Sequence, residues 1–150
     1  AGLCTPQYED FQNRLKQKIL AAGLTKRIFF LGLISPDEIA TWYQNVLITV
    51  ACPRYEPFGL TPLEGMGCGC AILATDTGAF RTIVEEGVTG KVIPTDDIEA
   101  LVDRLRTLMI NPAECQLMGL KGRARVKSLF SIVRESDDIR KVYDYLWGFK

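Results

Sequence analysis

An α/β fold, with a parallel and doubly wound sheet carrying helices on its faces, is what this sequence predicts. Three observations lead there. Short apolar runs alternate with amphipathic helical stretches over the first two-thirds of the chain, the order of successive strand–helix–strand units. The helical stretches share an opening, a capping residue followed by proline, at Thr5-Pro6, Ser35-Pro36 and Asn111-Pro112. The 150 residues, 47% hydrophobic and 24% charged, suffice for one domain with a sizeable core.

Each element follows from the residues in order. Ala1-Gly2-Leu3 is the stub of a strand ending in a turn. Thr5-Pro6 then starts a helix with Tyr8, Phe11, Leu15, Ile19 and Ala22 on its apolar face, stopped at Gly23. Ile28-Phe29-Phe30-Leu31 is expected as a short buried strand closed by Gly32. Ser35-Pro36-Asp37-Glu38 is a capping box for a helix with Ile39, Trp42, Tyr43 and Val46 inward. Val46 leads straight into a strand ending at Val50. A loop holding Pro53, Arg54 and Tyr55 precedes a helix that opens near Thr61-Pro62. Ala71–Ala74 is the next strand, and Thr75–Ala79 is the loop at its C-terminal end. A short helix from Phe80 to about Glu85, a turn at Glu86–Gly90 and the strand Lys91–Ile93 follow.

The rest is helical. Asp96 or Asp97 caps a helix bearing Ile98, Leu101, Val102, Leu105, Leu108 and Met109 at helical spacing. Asn111-Pro112-Ala113-Glu114 starts another, ending near Leu129, and Ser131 starts the last, with Ile139, Val142, Tyr143 and Leu146 inward. An open sheet with its ligand crevice at the switch point has a strand–helix unit ahead of these, so one such unit is expected upstream of Ala1.

Composition excludes several classes. Eighteen basic and eighteen acidic residues cancel, which argues against a nucleic-acid partner or a polybasic membrane anchor. Five cysteines at irregular spacing make no disulfide framework, and a reducing, cytoplasmic setting is the simpler expectation. Cys68-Gly69-Cys70 has too short a spacing for a zinc knuckle, and no histidine exists to complete a ligand set, so no metal site is expected. The lack of histidine also removes every imidazole acid–base scheme from these residues.

Function concentrates between Glu56 and Glu64, two carboxylates flanking a tight turn at a strand-to-helix junction. Ligands of open α/β sheets collect at such junctions. The free N–H groups of the helix's first turn suit an anionic or hydroxyl-rich ligand. Thr61-Pro62-Leu63-Glu64 is itself a capping box, so Glu64 is a cap, a ligand or both. Glu56 precedes the expected cap by five residues beside Pro57, and its structural alternative is an ion pair with Arg54.

These motifs together resemble the C-terminal, donor-binding domain of retaining glycosyltransferases of the GT-B fold, the family-4 group (glycosyl transferases group 1). The resemblance rests on Phe30-Leu31-Gly32, then Glu56 and Glu64 with seven residues between them that include Phe58-Gly59-Leu60. It continues through Glu64-Gly65-Met66 to Gly69, then Thr77-Gly78-Ala79 and Val88-Thr89-Gly90. The wording from Arg54 to Glu64, with Asp76 to Phe80, is similar to bacterial mannosyltransferases that build lipopolysaccharide core.

The resemblance implies a Rossmann-like parallel sheet with flanking helices and transfer of a hexose from a nucleotide diphosphate sugar, with retention. It implies that Glu56 faces the donor sugar as the catalytic carboxylate, and that Glu64 accepts hydrogen bonds from the ribose hydroxyls. The turn Pro57-Phe58-Gly59-Leu60-Thr61 would bring backbone N–H groups to sugar hydroxyls and diphosphate oxygens, and Ile34 would lie against the nucleobase. A carboxylate's two acceptor oxygens match a vicinal diol, whereas two carboxylates beside a diphosphate would repel it. N–H groups and cations are therefore left for the phosphates. Arg54 and Arg81 are the nearby basic candidates, with ion pairing as their alternative role.

No metal or other cofactor is expected beyond the donor itself. The partners implied are a nucleotide sugar and a glycan or lipid-linked acceptor held by a separate N-terminal domain, with peripheral membrane association of the full-length protein left open. On this reading the 150 residues alone bind donor weakly and transfer nothing. Two other classes stay in view: a non-catalytic nucleotide-sugar sensor on the same domain, and a dinucleotide oxidoreductase, for which the Gly-rich fingerprint is missing.

Overall fold

The computed structural model, which describes residues 8–148, builds a parallel sheet from Ile48–Ala51 (β1), Ala71–Thr75 (β2) and Gly90–Ile93 (β3) in the order β1-β2-β3. Ile48 pairs with Ala71 and Ile72 with Gly90, so each strand steps forward in register with the last. Every residue of β2 is buried. Alternation along that strand assigns its side chains to two cores. Ile72 and Ala74 pack with Met66, Phe80, Ile83 and Val84 on one face, while Ala71 and Leu73 pack with Ile93, Leu108, Cys115 and Met118 on the other.

The chain divides into two compact units, Ala1–Ile39 and Ala40–Lys150. In the first, Glu9–Ala21 forms α1 with Ile19 as its buried residue, and Lys16 Nζ stands 5.6 Å from the centre of the Phe30 ring. Pro36–Gln44 forms α2, whose first four residues belong to the first unit and the rest to the second, and its capping box closes as expected: the Ser35 backbone N–H and hydroxyl both donate to Glu38 Oε2, at 3.3 and 2.7 Å. Those bonds hold the Glu38 carboxyl below its ordinary range. The strand expected at residues 28–31 does not form. Phe29 is 70% exposed and its neighbours are half-exposed; apolar character alone makes no strand when no ladder partner is supplied. The expected strand stub at Ala1–Leu3 and the Thr5-Pro6 helix start lie outside the described residues.

In the second unit, Leu60–Cys68 (α3) and Phe80–Ile83 (α4) are the crossovers, followed by Ile98–Ile110 (α5), Pro112–Leu129 (α6) and Ile132–Trp147 (α7). Asp97, not Asp96, caps α5 by accepting from the Ala100 N–H at 2.8 Å, and Ser131 caps α7 by accepting from Arg134 N–H at 3.3 Å. At α6 the Asn111 side chain makes no capping bond; its amide donates to the Thr107 carbonyl instead. The α7 face expected inward is open: Ile139, Val142, Tyr143 and Leu146 are each at least half-exposed. Among the described residues no helix is long and apolar enough to cross a membrane.

Arg125 of α6 ties the short α4 to the fold. Its guanidinium donates to the carbonyls of Ile83 and Thr82 at 3.0 and 2.8 Å and pairs with Glu85 at 3.2 Å. A four-residue helix leaves most of its C-terminal carbonyls orphaned, and the planar fork satisfies two of them. Arg125→Ala is expected to cost about 1–3 kcal/mol, and Arg125→Lys to recover less than half of it, in urea unfolding.

Candidate functional site

The turn between β1 and α3 sits at the C-terminal end of the sheet, and two threonine side chains and one glycine from the end of β2 and the loop after it hold it there. Thr75 Oγ1 donates to the Pro53 carbonyl at 2.7 Å, and Thr77 Oγ1 to that of Arg54 at 3.5 Å. Gly78, at φ +51°, lies flat against the Glu56 carbonyl, so close that a Cβ there would overlap it. Thr77-Gly78-Ala79 is thus the bed on which the Glu56 loop rests.

Glycine at position 59 starts α3 in the left-handed region, with φ 105°. A Cβ on it would come 2.7 Å from the Phe80 ring. A glycine cap has no side chain to satisfy the helix's first N–H groups. Ahead of the helix, Glu56 Oε1 accepts the Phe58 N–H at 3.3 Å and the Gly59 N–H at 3.1 Å and closes the turn that leads into it. The N–H groups of Leu60 and Thr61 have no acceptor among the described residues, and Pro62 has none to offer. No acidic residue lies in the first turn of α3 itself, and the carboxylate beside its positive end is that of Glu56 in the preceding turn.

Helix α3 starts at Leu60, ahead of its Thr61-Pro62 punctuation, and neither local role expected of the two glutamates, a cap for Glu64 and an ion pair with Arg54 for Glu56, is what they do. Thr61 lies inside the first turn, α3 has no side-chain capping bond, and Glu64 is not a cap. Glu64 is exposed and accepts instead from the Tyr43 hydroxyl, Oη to Oε2, at 3.1 Å. Glu56 is half-buried, holds the turn ahead of α3 through the Phe58 and Gly59 N–H groups, and is not paired with Arg54. Arg54 binds Asp96 at 2.7 Å and Arg81 binds Asp76 at 2.6 Å. Each pairing raises the arginine further and Arg81 holds the Asp76 carboxyl below its usual range. Both pairs are largely exposed, where such contacts are weak and exchangeable. Asp96 adopts φ 62°, unusual for a residue with a side chain.

Of the other expected site residues, Pro57, Phe58, Leu60 and Thr61 are exposed along the turn, while Gly59 is buried beneath it. Ile34 belongs to the first unit, two residues before α2, and is half-buried. Phe58, Leu60 and Glu64 also line a groove of about 760 Å³ whose other wall includes Arg134, Ile139 and Val142 of α7. That volume suits a ligand of nucleotide size. Glu56 does not line the groove, so the two carboxylates address different spaces.

Tyr43 is the site residue that the sequence reading placed in the core. Helical spacing put it on the inner face of α2, where it is half-buried, and nothing local signals that its hydroxyl meets a residue 21 positions away. Burial first, and then the Glu64 carboxylate, push the phenol up to about 12. A pKa raised on folding contributes stability that is fully present below the unfolded value near 10 and lost as pH rises through the folded one, so this contact weakens only in strong alkali.

Residues 1–125 match the family described as glycosyl transferases group 1. The chain is 38% identical over 148 residues to the lipopolysaccharide core biosynthesis mannosyltransferase LpcC of Rhizobium leguminosarum bv. viciae, covering 99% of this chain and 42% of that protein. It thus spans about two-fifths of that relative's length. The crystal structure of the C-terminal domain of LpcC, a glycosyl transferase group 1 protein from Francisella tularensis, superimposes with a TM-score of 0.80 at 32% identity, over 85% of this chain and 66% of that one. Anabaena HepE in complex with UDP has a TM-score of 0.86 at 23% identity over 96% of this chain and 39% of that one, a likeness of fold.

Proposed function

The chain belongs to the glycosyl transferases group 1 family, and from that premise we propose that it is the donor-binding domain of a retaining hexosyltransferase. The proposed donor is GDP-mannose or a UDP-hexose, and the acceptor a cell-envelope glycan or glycolipid held by an N-terminal domain outside these residues. The naming of its relatives as lipopolysaccharide core mannosyltransferases favours mannose and that acceptor class.

One observation carries this reading: at the mouth of α3 the Leu60 and Thr61 N–H groups have no acceptor among the described residues, while Glu56 and Glu64 on either side bond to other groups. In the proposed complex, diphosphate oxygens accept from those two N–H groups at the positive end of the helix. Glu56, held through Oε1, keeps Oε2 for a hydroxyl of the donor sugar. Glu64 takes the ribose diol. As the glycosidic bond to the nucleotide breaks, charge gathers on the leaving diphosphate, where fixed N–H dipoles stabilise it without reorganising. Further cations for that charge are proposed to come from upstream of these residues, and no metal is required in the scheme.

The test is calorimetric titration of the full-length protein with GDP-mannose, GDP-glucose, UDP-glucose and UDP-galactose, followed by NMR assignment of the product anomer. One base is expected to bind at least tenfold more tightly than the other, with the anomeric configuration kept and EDTA without effect. Inversion, or binding of none of the four, overturns the proposal. Binding with no transfer to any envelope acceptor would favour a non-catalytic module instead.

A further inference from the structure

We propose that Tyr43 is a positioning residue for nucleotide recognition, its hydroxyl fixing the Glu64 carboxylate in the orientation that receives the ribose diol. The inference rests on the reading of Glu64 as the ribose ligand and names the residue that makes that ligand rigid. An exposed glutamate on a helix surface samples many rotamers, and binding a diol through both oxygens would freeze them at the moment of binding. The hydrogen bond from Tyr43 gives up that freedom beforehand. It does so without consuming the site: the donor occupies one lone pair of Oε2, leaving the second for one ribose hydroxyl and all of Oε1 for the other.

Tyr43 is itself held from behind. The thiol of Cys70, buried at the start of β2, donates to the Tyr43 carbonyl at 3.0 Å, and its sulfur lies 3.5 Å from the Val46 carbonyl. The Asn45 and Val46 N–H groups return to the carbonyls of Trp42 and Tyr43, closing the end of α2. The phenol ring packs on the buried cluster that includes Met66 and Cys70. The path thus runs from the buried start of β2, through the end of α2, to a carboxylate on α3. The alkaline pKa of the phenol keeps the hydroxyl a donor throughout the neutral range. Support of a ligating group by a hydrogen bond from behind is a general device for raising affinity without touching the ligand.

The experiment uses the full-length protein and four probes: GDP, UDP and their 2′,3′-dideoxy counterparts. Tyr43→Phe removes one oxygen from a half-buried site and keeps the ring in its packing. It is expected to weaken the preferred ribonucleotide by roughly three- to tenfold while moving its dideoxy counterpart by less than about twofold. On a Glu64→Ala background, Tyr43→Phe should add no further loss, because the group it orients is gone. Thermal melts of each variant check folding, and the ribo-to-dideoxy ratio within one variant is insensitive to a general loss of active protein. Equal weakening of ribo and dideoxy probes by Tyr43→Phe, or no weakening, overturns the Tyr43 proposal while Glu64→Ala still discriminates between them. If Glu64→Ala itself loses no ribose discrimination, the ribose reading falls and the Tyr43 proposal falls with it.

Discussion

Glu56→Gln in the full-length protein is expected to lower kcat/KM on the order of a hundred- to a thousandfold while shifting the melting temperature by less than about 3 °C. The two effects separate because Glu56 has two jobs. Its Oε1 caps the turn through the N–H groups of Phe58 and Gly59, and an amide oxygen can accept the same bonds. Its charge faces the donor sugar in the proposed complex, and an amide cannot replace that. Glu56→Ala should lose both, with a similar drop in turnover and a further stability cost of about 1 kcal/mol from the lost cap. Paired steady-state kinetics and thermal melts distinguish the roles. A glutamine variant that transfers sugar at the wild-type rate would reduce Glu56 to a capping residue.

The largest stability effect is expected at Gly78→Ala. The added methyl would fall on the Glu56 carbonyl, backbone against backbone, where no rotamer change can relieve it, and φ +51° adds its own strain. Together these should cost about 2–4 kcal/mol, a fall of roughly 5–15 °C in melting temperature. Relief requires the loop bearing Thr77 to part from the loop bearing Arg54 and Glu56, so donor affinity should fall by more than tenfold in the protein that remains folded. Gly87→Ala is the control. Its φ of +74° is similar but a Cβ there meets nothing within 4 Å, so it should show backbone strain of about 1 kcal/mol and unchanged donor binding.

Helix positions were legible because their signals are local. Ser35-Pro36 and Glu38 announce α2 within four residues, and Asp97 and Ser131 cap α5 and α7 through bonds spanning three. The same rule misled at Thr61-Pro62, where the helix had already begun at a glycine. The turn ahead of that glycine is closed by Glu56, and a capping-box pattern does not look upstream for it. Residues 28–31 failed for a related reason: an apolar run is necessary for a buried strand, but the partner that would pair it is not written in those four letters.

By itself the sequence determined the α/β class, the family, and three strands read at 46–50, 71–74 and 91–93, which the structure sets at 48–51, 71–75 and 90–93. Periodicity, punctuation and motif spacing are properties of neighbouring residues, and they survive being read along a line. The tertiary structure alone decided which N–H groups Glu56 accepts from, which aspartates engage Arg54 and Arg81, and that Tyr43 reaches Glu64 across 21 positions. A hydrogen bond depends on distances of a few tenths of an ångström and on donor direction, and those are set only when separate segments pack around the same core. The chain writes both carboxylates alike; packing gives one of them to the backbone of the turn and the other to the Tyr43 hydroxyl.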